Sequence, residues 1–445
     1  MIPLLMCMYV CGYLDRTNLG NARLQGLPQD VLGGDPTGQL FAWINSGFYF
    51  AYVFGQFPGV LGAKKAPLHL WLGGAAFGWG FVCAMQALAF NFASLFMCRI
   101  FIGIFEAMFS PNMCIYWTYF YTREEIGKRL GIWFSCANVA GAFGGLIAFG
   151  VQNIHGSIHN WRLLFIIEGI PAAFFGLVAM KVLPNRPEKT KYLNDDERKL
   201  AILRMSRGAL KEEAGSLNWK HVRMAALDWK TYVAGTIYFG ANCAAAALGA
   251  FLPTIIASMG YSAAQAQLLT VPPYTVGAVV LILTTFGSDH YQSRGIPMIF
   301  STFIGGTGYL IMLCVESNIH VRYFATFLIC ISTYTTIGLC IAWFPYNMGS
   351  ESKRAMGNAM YQAIGQCGSI LGSNIYPLTQ GPRYLTGFGV TCGFAYLSTI
   401  LALILTVYCR MENKRRDKKY GYADRHAAVD VSELADHAPM FRYTP

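Results

Sequence analysis

A chain of 445 residues that is 54% hydrophobic and only 13% charged holds about half the charge of an ordinary soluble domain. Its mean hydropathy of +0.38 comes from apolar blocks near the length that spans a hydrocarbon core, which excludes a soluble globular protein and marks a multi-pass protein of the lipid bilayer. The formal charge of +11 would suit nucleic acid, but the excess sits in loops and tail, where it orients the chain by the positive-inside rule, so no nucleic-acid partner is expected.

The first segment opens Met1-Ile-Pro-Leu-Leu-Met. It lacks the basic start of a signal peptide, and Asp15, Arg16 and Asn18 interrupt what would follow, so it reads as a retained helix. The chain begins almost inside this segment, which points to a cytosolic stretch missing ahead of it. Twelve spans are expected, over 2–25, 39–62, 68–90, 94–118, 130–151, 160–182, 230–254, 266–287, 297–315, 321–345, 355–377 and 386–409. The fifth is glycine-rich, and Gly141 and Gly145 form a small-xxx-small pair that lets two helices approach closely.

The charged stretch 184–229 contains Asp195-Asp196-Glu197-Arg198-Lys199, expected as a short amphipathic helix, and separates two halves, 1–183 and 230–409. The tail 410–445 is basic, then polar, with the composition of a disordered segment. Of 34 Lys and Arg, 12 fall between Lys181 and Lys230 and 8 in the tail. Lys64, Lys65, Arg123, Lys128, Arg129, Arg294, Lys353 and Arg354 fall in alternate short loops on the same side. Both termini and the central loop are therefore expected in the cytosol. The expectation is an all-α membrane protein with twelve transmembrane helices in two six-helix halves, the layout of one large class of secondary transporters with a site at mid-depth.

The chemistry concentrates in spans one and four. Charge at the bilayer centre costs about 2.5–3.5 kcal/mol on insertion scales, so such residues usually serve a function. Asp15 and Arg16 are adjacent in the first span; Arg99, Gly103 and Glu106 recur at i, i+4 and i+7 on one face of the fourth. A membrane carboxylate can load and release protons, which makes Asp15 and Glu106 candidates for proton coupling. Guanidinium offers a planar fork for a carboxylate, which makes Arg16 and Arg99 candidates for holding an anionic substrate. Two interhelical salt bridges with a packing role are the alternative. Neutral candidates for the substrate body are Asn18, Tyr49, Tyr238, Asn242, Tyr361 and Gln362, beside Tyr52, Gln56, Gln366 and Ser369; interhelical hydrogen bonds are equally open to them.

The negatives are informative. There is no GxxxxGK[ST], so no ATP motor is encoded. His155 and His159 lack the Glu of HExxH, and the thirteen cysteines make no CxxC pair with one another. No metal site, cofactor or catalytic residue is expected, and the chain is not expected to be an enzyme.

Five stretches carry a family resemblance: Tyr13-Leu-Asp15-Arg16-Thr-Asn18-Leu-Gly-Asn21-Ala22; Arg99-x-x-x-Gly103-x-x-Glu106-Ala107 with Pro111; Tyr121-Thr-Arg123-Glu124-Glu-x-x-x-Arg129; Trp161-Arg162-x-x-Phe165-Ile-Ile-Glu168-Gly169; and Pro382-Arg383-Tyr384-x-x-Gly387. In these the chain resembles the major facilitator superfamily, and within it the anion:cation symporters, especially the fungal allantoate permease group. The resemblance implies import of a small carboxylate, such as allantoate or a vitamin, together with protons. It implies proton coupling at Asp15 and Glu106 and anion handling at Arg16 and Arg99. Lys64-Lys65-Ala-Pro67 departs from the superfamily's usual loop signature. A monomer in the plasma membrane is the expected form. A proton-independent facilitator or exchanger and a transporter-like nutrient receptor are the alternative readings.

Overall fold

The computed structural model describes residues 1–445 except 64–65, 122, 155, 187–189, 191, 207–217, 317 and 424–428. Lys64, Lys65, His155 and part of the central stretch therefore lie outside the described residues. All twelve expected spans are helical, the eighth in two pieces. The first half comprises α1 (Ile2–Leu24), a short α2 (Leu27–Val31), α3 (Gln39–Ala63), α4 (Leu68–Gln86), α5 (Phe92–Thr118), α6 (Arg123–Gln152) and α7 (Asn160–Val182). Then come α8 (Asp195–Ser206) and α9 (Trp219–Leu227) in the central stretch. The second half holds α10 (Trp229–Ala257), α11 (Ala263–Leu268), α12 (Val271–His290), α13 (Gly295–Cys314), α14 (Ile319–Trp343), α15 (Glu351–Asn374) and α16 (Leu385–Tyr420).

Local sequence sets several starts. Asn91 and Ser94 form a reciprocal capping box at the head of α5, and Ser262 and Gln265 do the same for α11. The Asp228 carboxylate accepts from the Lys230 amide to start α10. The expected eighth span breaks into α11 and α12 just ahead of Pro272 and Pro273, which cannot continue the hydrogen-bond ladder. Among the described residues, nine helical stretches are long and apolar enough to cross a membrane by length and composition alone. Large apolar side chains such as Phe174, Leu283 and Phe300 stand exposed on these helices, as a lipid-facing surface requires.

Within the first half α3 packs on α5 and α4 on α7; within the second, α10 packs on α15 and α13 on α16. The halves meet through α1 and α10, α3 and α15, and α6 and α12. At the end away from the chain termini the contact is tight. Asn45 donates to the Ser373 hydroxyl and Asn374 to that of Ser46, each at 2.8 Å. A Cβ on Gly20 would stand 2.6 Å from the Gly249 carbonyl, so only glycine permits this approach of α1 to α10. Gly141 and Gly145 do bring α6 against α12: a Cβ there would meet Tyr274 and Thr270.

The tail departs from the disorder expected of it. Helix α16 runs on to Tyr420, past the expected end at 409, because Glu412 accepts from Arg415 and Arg416 one turn on. Residues 429–445 then fold back onto the second half. Asp436 is buried between Lys230 and Lys353. Arg416 donates to the carbonyls of Asp436, Ala438 and Phe441, and Trp343 donates its indole N–H to that of Thr444 at 2.9 Å. Ion pairs with distant partners, together with burial of Val431, Phe441 and Tyr443, order this segment.

Candidate functional site

A cavity lies between the halves at mid-depth. It offers about 90 Å³ to the centres of water-sized molecules, several times the ~10–15 Å³ that one water needs. Its wall from the first half includes Tyr9, Tyr13, Arg16, Tyr49 and Tyr52, and its wall from the second includes Tyr238, Asn242, Tyr334, Gln362 and Gln366. Arg16 is the one charged side chain among the described residues that line it. Its side chain keeps 20% of its surface exposed, so it is the charge that an occupant can reach.

Two neighbours on α1, Tyr9 and Tyr13, fall at seven and three residues before Arg16, on one helix face. From there the guanidinium lies over the rings of Tyr13, Phe48 and Tyr52 at 5.8, 5.1 and 5.1 Å. Its Nε donates to Glu106 Oε2 at 2.6 Å, and Nη2 donates to the same oxygen. Among the described residues no protein acceptor meets Nη1. Glu106 is buried, and among the described residues its other oxygen has no partner. Across the cavity Asn242 donates to the Tyr238 carbonyl at 2.8 Å and Gln362 to Asn358 at 3.2 Å.

Of the expected site residues, Arg16, Tyr49, Tyr238, Asn242 and Gln362 line this cavity. Glu106 stands immediately behind Arg16. The rest are placed elsewhere. Asn18 is fully buried, accepts from Asn21 at 3.0 Å and packs by Gly144 of α6. Tyr361 is fully buried with its ring against Tyr238 and Phe344. Asp15 and Arg99 turn into the first half, where Cys83 Sγ donates to Asp15 Oδ1 at 2.9 Å and Arg99 Nη1 to the Asp15 carbonyl at 3.2 Å. One residue's step rotates a helical side chain by about 100°, so adjacent Asp15 and Arg16 serve different surroundings. The aromatic wall of Tyr9, Tyr13 and Tyr334 was not anticipated; the i, i+4, i+7 spacing of Tyr9, Tyr13 and Arg16 was the available signal.

Comparison with known proteins gives this geometry a setting. Residues 5–373 match the sequence profile of the Major Facilitator Superfamily. The chain is 32% identical over 451 residues to the major facilitator-type transporter hxnP of Emericella nidulans, covering 99% of this chain and 90% of that protein. It is 31% identical over 434 residues to the uncharacterized transporter C1002.16c of Schizosaccharomyces pombe, covering 97% and 85%. Among solved structures, a bacterial homologue of the human lysosomal transporter Spinster, in an inward-facing and occupied conformation, superposes with a TM-score of 0.67 at 14% identity, covering 91% of this chain and 95% of that one. That likeness is one of fold.

Proposed function

The chain belongs to the Major Facilitator Superfamily of transporters, and from that premise we propose that it carries a small organic anion together with protons by alternating access. The observation that carries this reading is the shared guanidinium: the one charged group on the cavity wall among the described residues is already engaged by a buried carboxylate. A substrate carboxylate entering the cavity competes with Glu106 for Arg16, a bidentate partner for either. Glu106, once displaced, is a buried acid without a counter-ion, and taking up a proton removes that cost. Substrate and proton thus enter together. The Arg16 fork orients the anion, the tyrosines around it supply apolar wall and hydroxyls, and Asn242, Gln362 and Tyr238 meet the substrate body.

In this reading the halves 1–183 and 230–409 rock about the cavity, with the loop 184–229 and tail 410–445 in the cytosol and the protein monomeric in the plasma membrane. With the basic end cytosolic, the tight contact at Gly20, Asn45 and Asn374 closes the outer end. Asp15, Arg99, Asn18 and Tyr361 act from behind the wall, through the helices that carry it. The test is uptake of radiolabelled small carboxylates by reconstituted vesicles, with and without an acidic outside. Accumulation above equilibrium that collapses with the pH gradient is the expected result. Carboxylate uptake indifferent to that gradient would replace the symporter with a facilitator, and transport confined to neutral or cationic solutes would remove the anion.

A further inference from the structure

The first half buries a second charged cluster that the cavity does not reach. Asp15 on α1, Arg99 on α5 and Glu168 on α7 are each only 2–3% exposed, and none lines the cavity. Cys83 on α4 ties them together: its Sγ lies 2.9 Å from Asp15 Oδ1 and 3.8 Å from the Phe165 carbonyl, one turn before Glu168. The Arg99 guanidinium lies over the Phe165 ring at 5.7 Å and reaches the Asp15 carbonyl. Glu168 lies within electrostatic reach of Asp15 and Arg99, and of the thiols of Cys11 and Cys83.

The polar atoms of this cluster are incompletely matched. Among the described residues, both oxygens of Glu168, Oδ2 of Asp15, and Nε and Nη2 of Arg99 are buried with no close hydrogen bond, the Gln86 amide being the polar neighbour of Asp15. Arg16 bonds Glu106 and acts on Asp15 only from further away, so among the described residues two guanidinia serve three buried carboxyls, Asp15, Glu106 and Glu168, and Arg99 is the nearer cation for Asp15 and Glu168. Two like charges in one desolvated site cannot both ionise around a single cation, and binding a proton relieves the excess. Among the described residues no group of His, Cys, Asp and Glu is arranged to hold a metal ion, so a proton is the ligand that fits.

We propose that Asp15 and Glu168 hold one proton between them beside Arg99, which makes Glu168 a proton-binding residue inside the first half, off the substrate cavity. Asp15 and Arg16 are consecutive on α1. A turn of α1 that accompanies engagement of Arg16 therefore moves Asp15 against Arg99 and Glu168 and changes the hold on that proton. This coupling role rests on the proton-coupled reading above; the proton itself does not.

Infrared spectroscopy of the full chain in lipid nanodiscs, with no substrate present, reads the proton directly. The wild type is expected to show the carbonyl band of a buried protonated carboxyl at neutral pH, sensitive to deuteration. Glu168→Gln and Asp15→Asn should each lose it, because either change leaves one carboxylate for Arg99, whereas Glu106→Gln should keep it. A wild type without the band, or an undiminished band in Glu168→Gln, would overturn the proposal. Asp15→Asn serves in the same way if Glu168→Gln does not fold. Vesicle uptake separates the two ideas. A band present in a wild type that shows no pH-driven uptake supports the proton site and removes the coupled transport. A band absent from a wild type that does show such uptake removes only the site.

Discussion

Arg16 on α1 and Glu106 on α5, 90 residues apart in the chain, share one salt bridge in which two nitrogens of the guanidinium meet the same carboxylate oxygen. The pair is unequal: Arg16 keeps a fifth of its side chain exposed to the cavity, while Glu106 keeps almost none. Arg16 can therefore change partners without losing solvent, whereas Glu106 cannot. That asymmetry gives the bridge a direction in which to open.

Glu106→Gln tests it first. Glutamine keeps the shape but cannot cycle a proton, so pH-driven accumulation should fall to an inside:outside ratio of about 1, while exchange of internal for external substrate persists, since exchange needs no net proton movement. Accumulation and counterflow in the same reconstituted vesicles measure both. Undiminished pH-driven accumulation would take Glu106 out of the coupling.

The two arginines should separate under the same substitution. Arg16→Lys keeps the charge but loses the fork on the cavity wall. A charge-assisted hydrogen bond lost to substrate costs about 1.5–3 kcal/mol, roughly 10- to 150-fold in apparent affinity. Arg99→Lys leaves the cavity wall intact, so it should alter the pH profile of uptake more than the affinity. Competition binding and uptake over a pH series read the two effects. Equal affinity losses in both variants would mean that Arg99 touches substrate.

Gly20 should control closure at the end away from the chain termini. An alanine Cβ there would lie 2.6 and 2.7 Å from the carbonyls of Gly249 and Ala250, and backbone cannot yield as a side chain can. Overpacking of this kind costs about 1–3 kcal/mol, enough to shift a two-state equilibrium by roughly 5- to 150-fold. Gly20→Ala should therefore open the contact and speed thiol labelling of a Ser373→Cys reporter, which is buried in the closed form. Gly249→Ala is the control, because its Cβ would meet nothing closer than 3.7 Å.

The membrane orientation has an equally direct measurement. Asp196 on α8 is almost fully exposed, and Gly156 lies exposed in the loop between α6 and α7. In intact cells an impermeant maleimide should label Gly156→Cys and spare Asp196→Cys until the membrane is permeabilised, in a background without other reactive thiols. The reverse pattern would invert the topology.

The fold was legible because most spans are apolar runs near the length of a bilayer, a signal that depends on no partner. The ends of α16 and the break before Pro272 were less legible, since charged residues continue a helix in water as readily as they end a span. At the site, Arg16 and Glu106 could be named from their cost in a membrane. Arg99 and Asp15 carry the same cost but face inward, and only the packing of α4, α5 and α7 decides that. The tail was illegible for a different reason. Asp436 finds its counter-ions 206 and 83 residues away, and no local pattern announces such a pairing.

That tail supplies the last prediction. Burial alone would push the Asp436 carboxyl up, yet Lys230 and Lys353 together hold it well below the usual carboxylate range. A depressed acid contributes stability that is present above its unfolded value, near 3.9, and lost as pH falls through the folded one. Docking of 429–445 through Asp436 should thus be flat between about pH 8 and 5 and weaken only in stronger acid. Asp436→Asn should act as that acid does at neutral pH, because it leaves Lys230 and Lys353 to share the one carboxylate of Asp228; removing one partner of a buried ion pair costs up to about 3–5 kcal/mol. A spin label at Met440→Cys, in a background without other reactive thiols, should be immobile in the wild type from pH 8 to 5 and mobile in Asp436→Asn throughout. Since Lys230 heads α10 and Lys353 heads α15, both of which carry cavity residues, the same variant should lower the thermal stability of the second half. A label equally immobile in both proteins would show that the apolar contacts of Phe441 and Tyr443 hold the tail without the ion pairs.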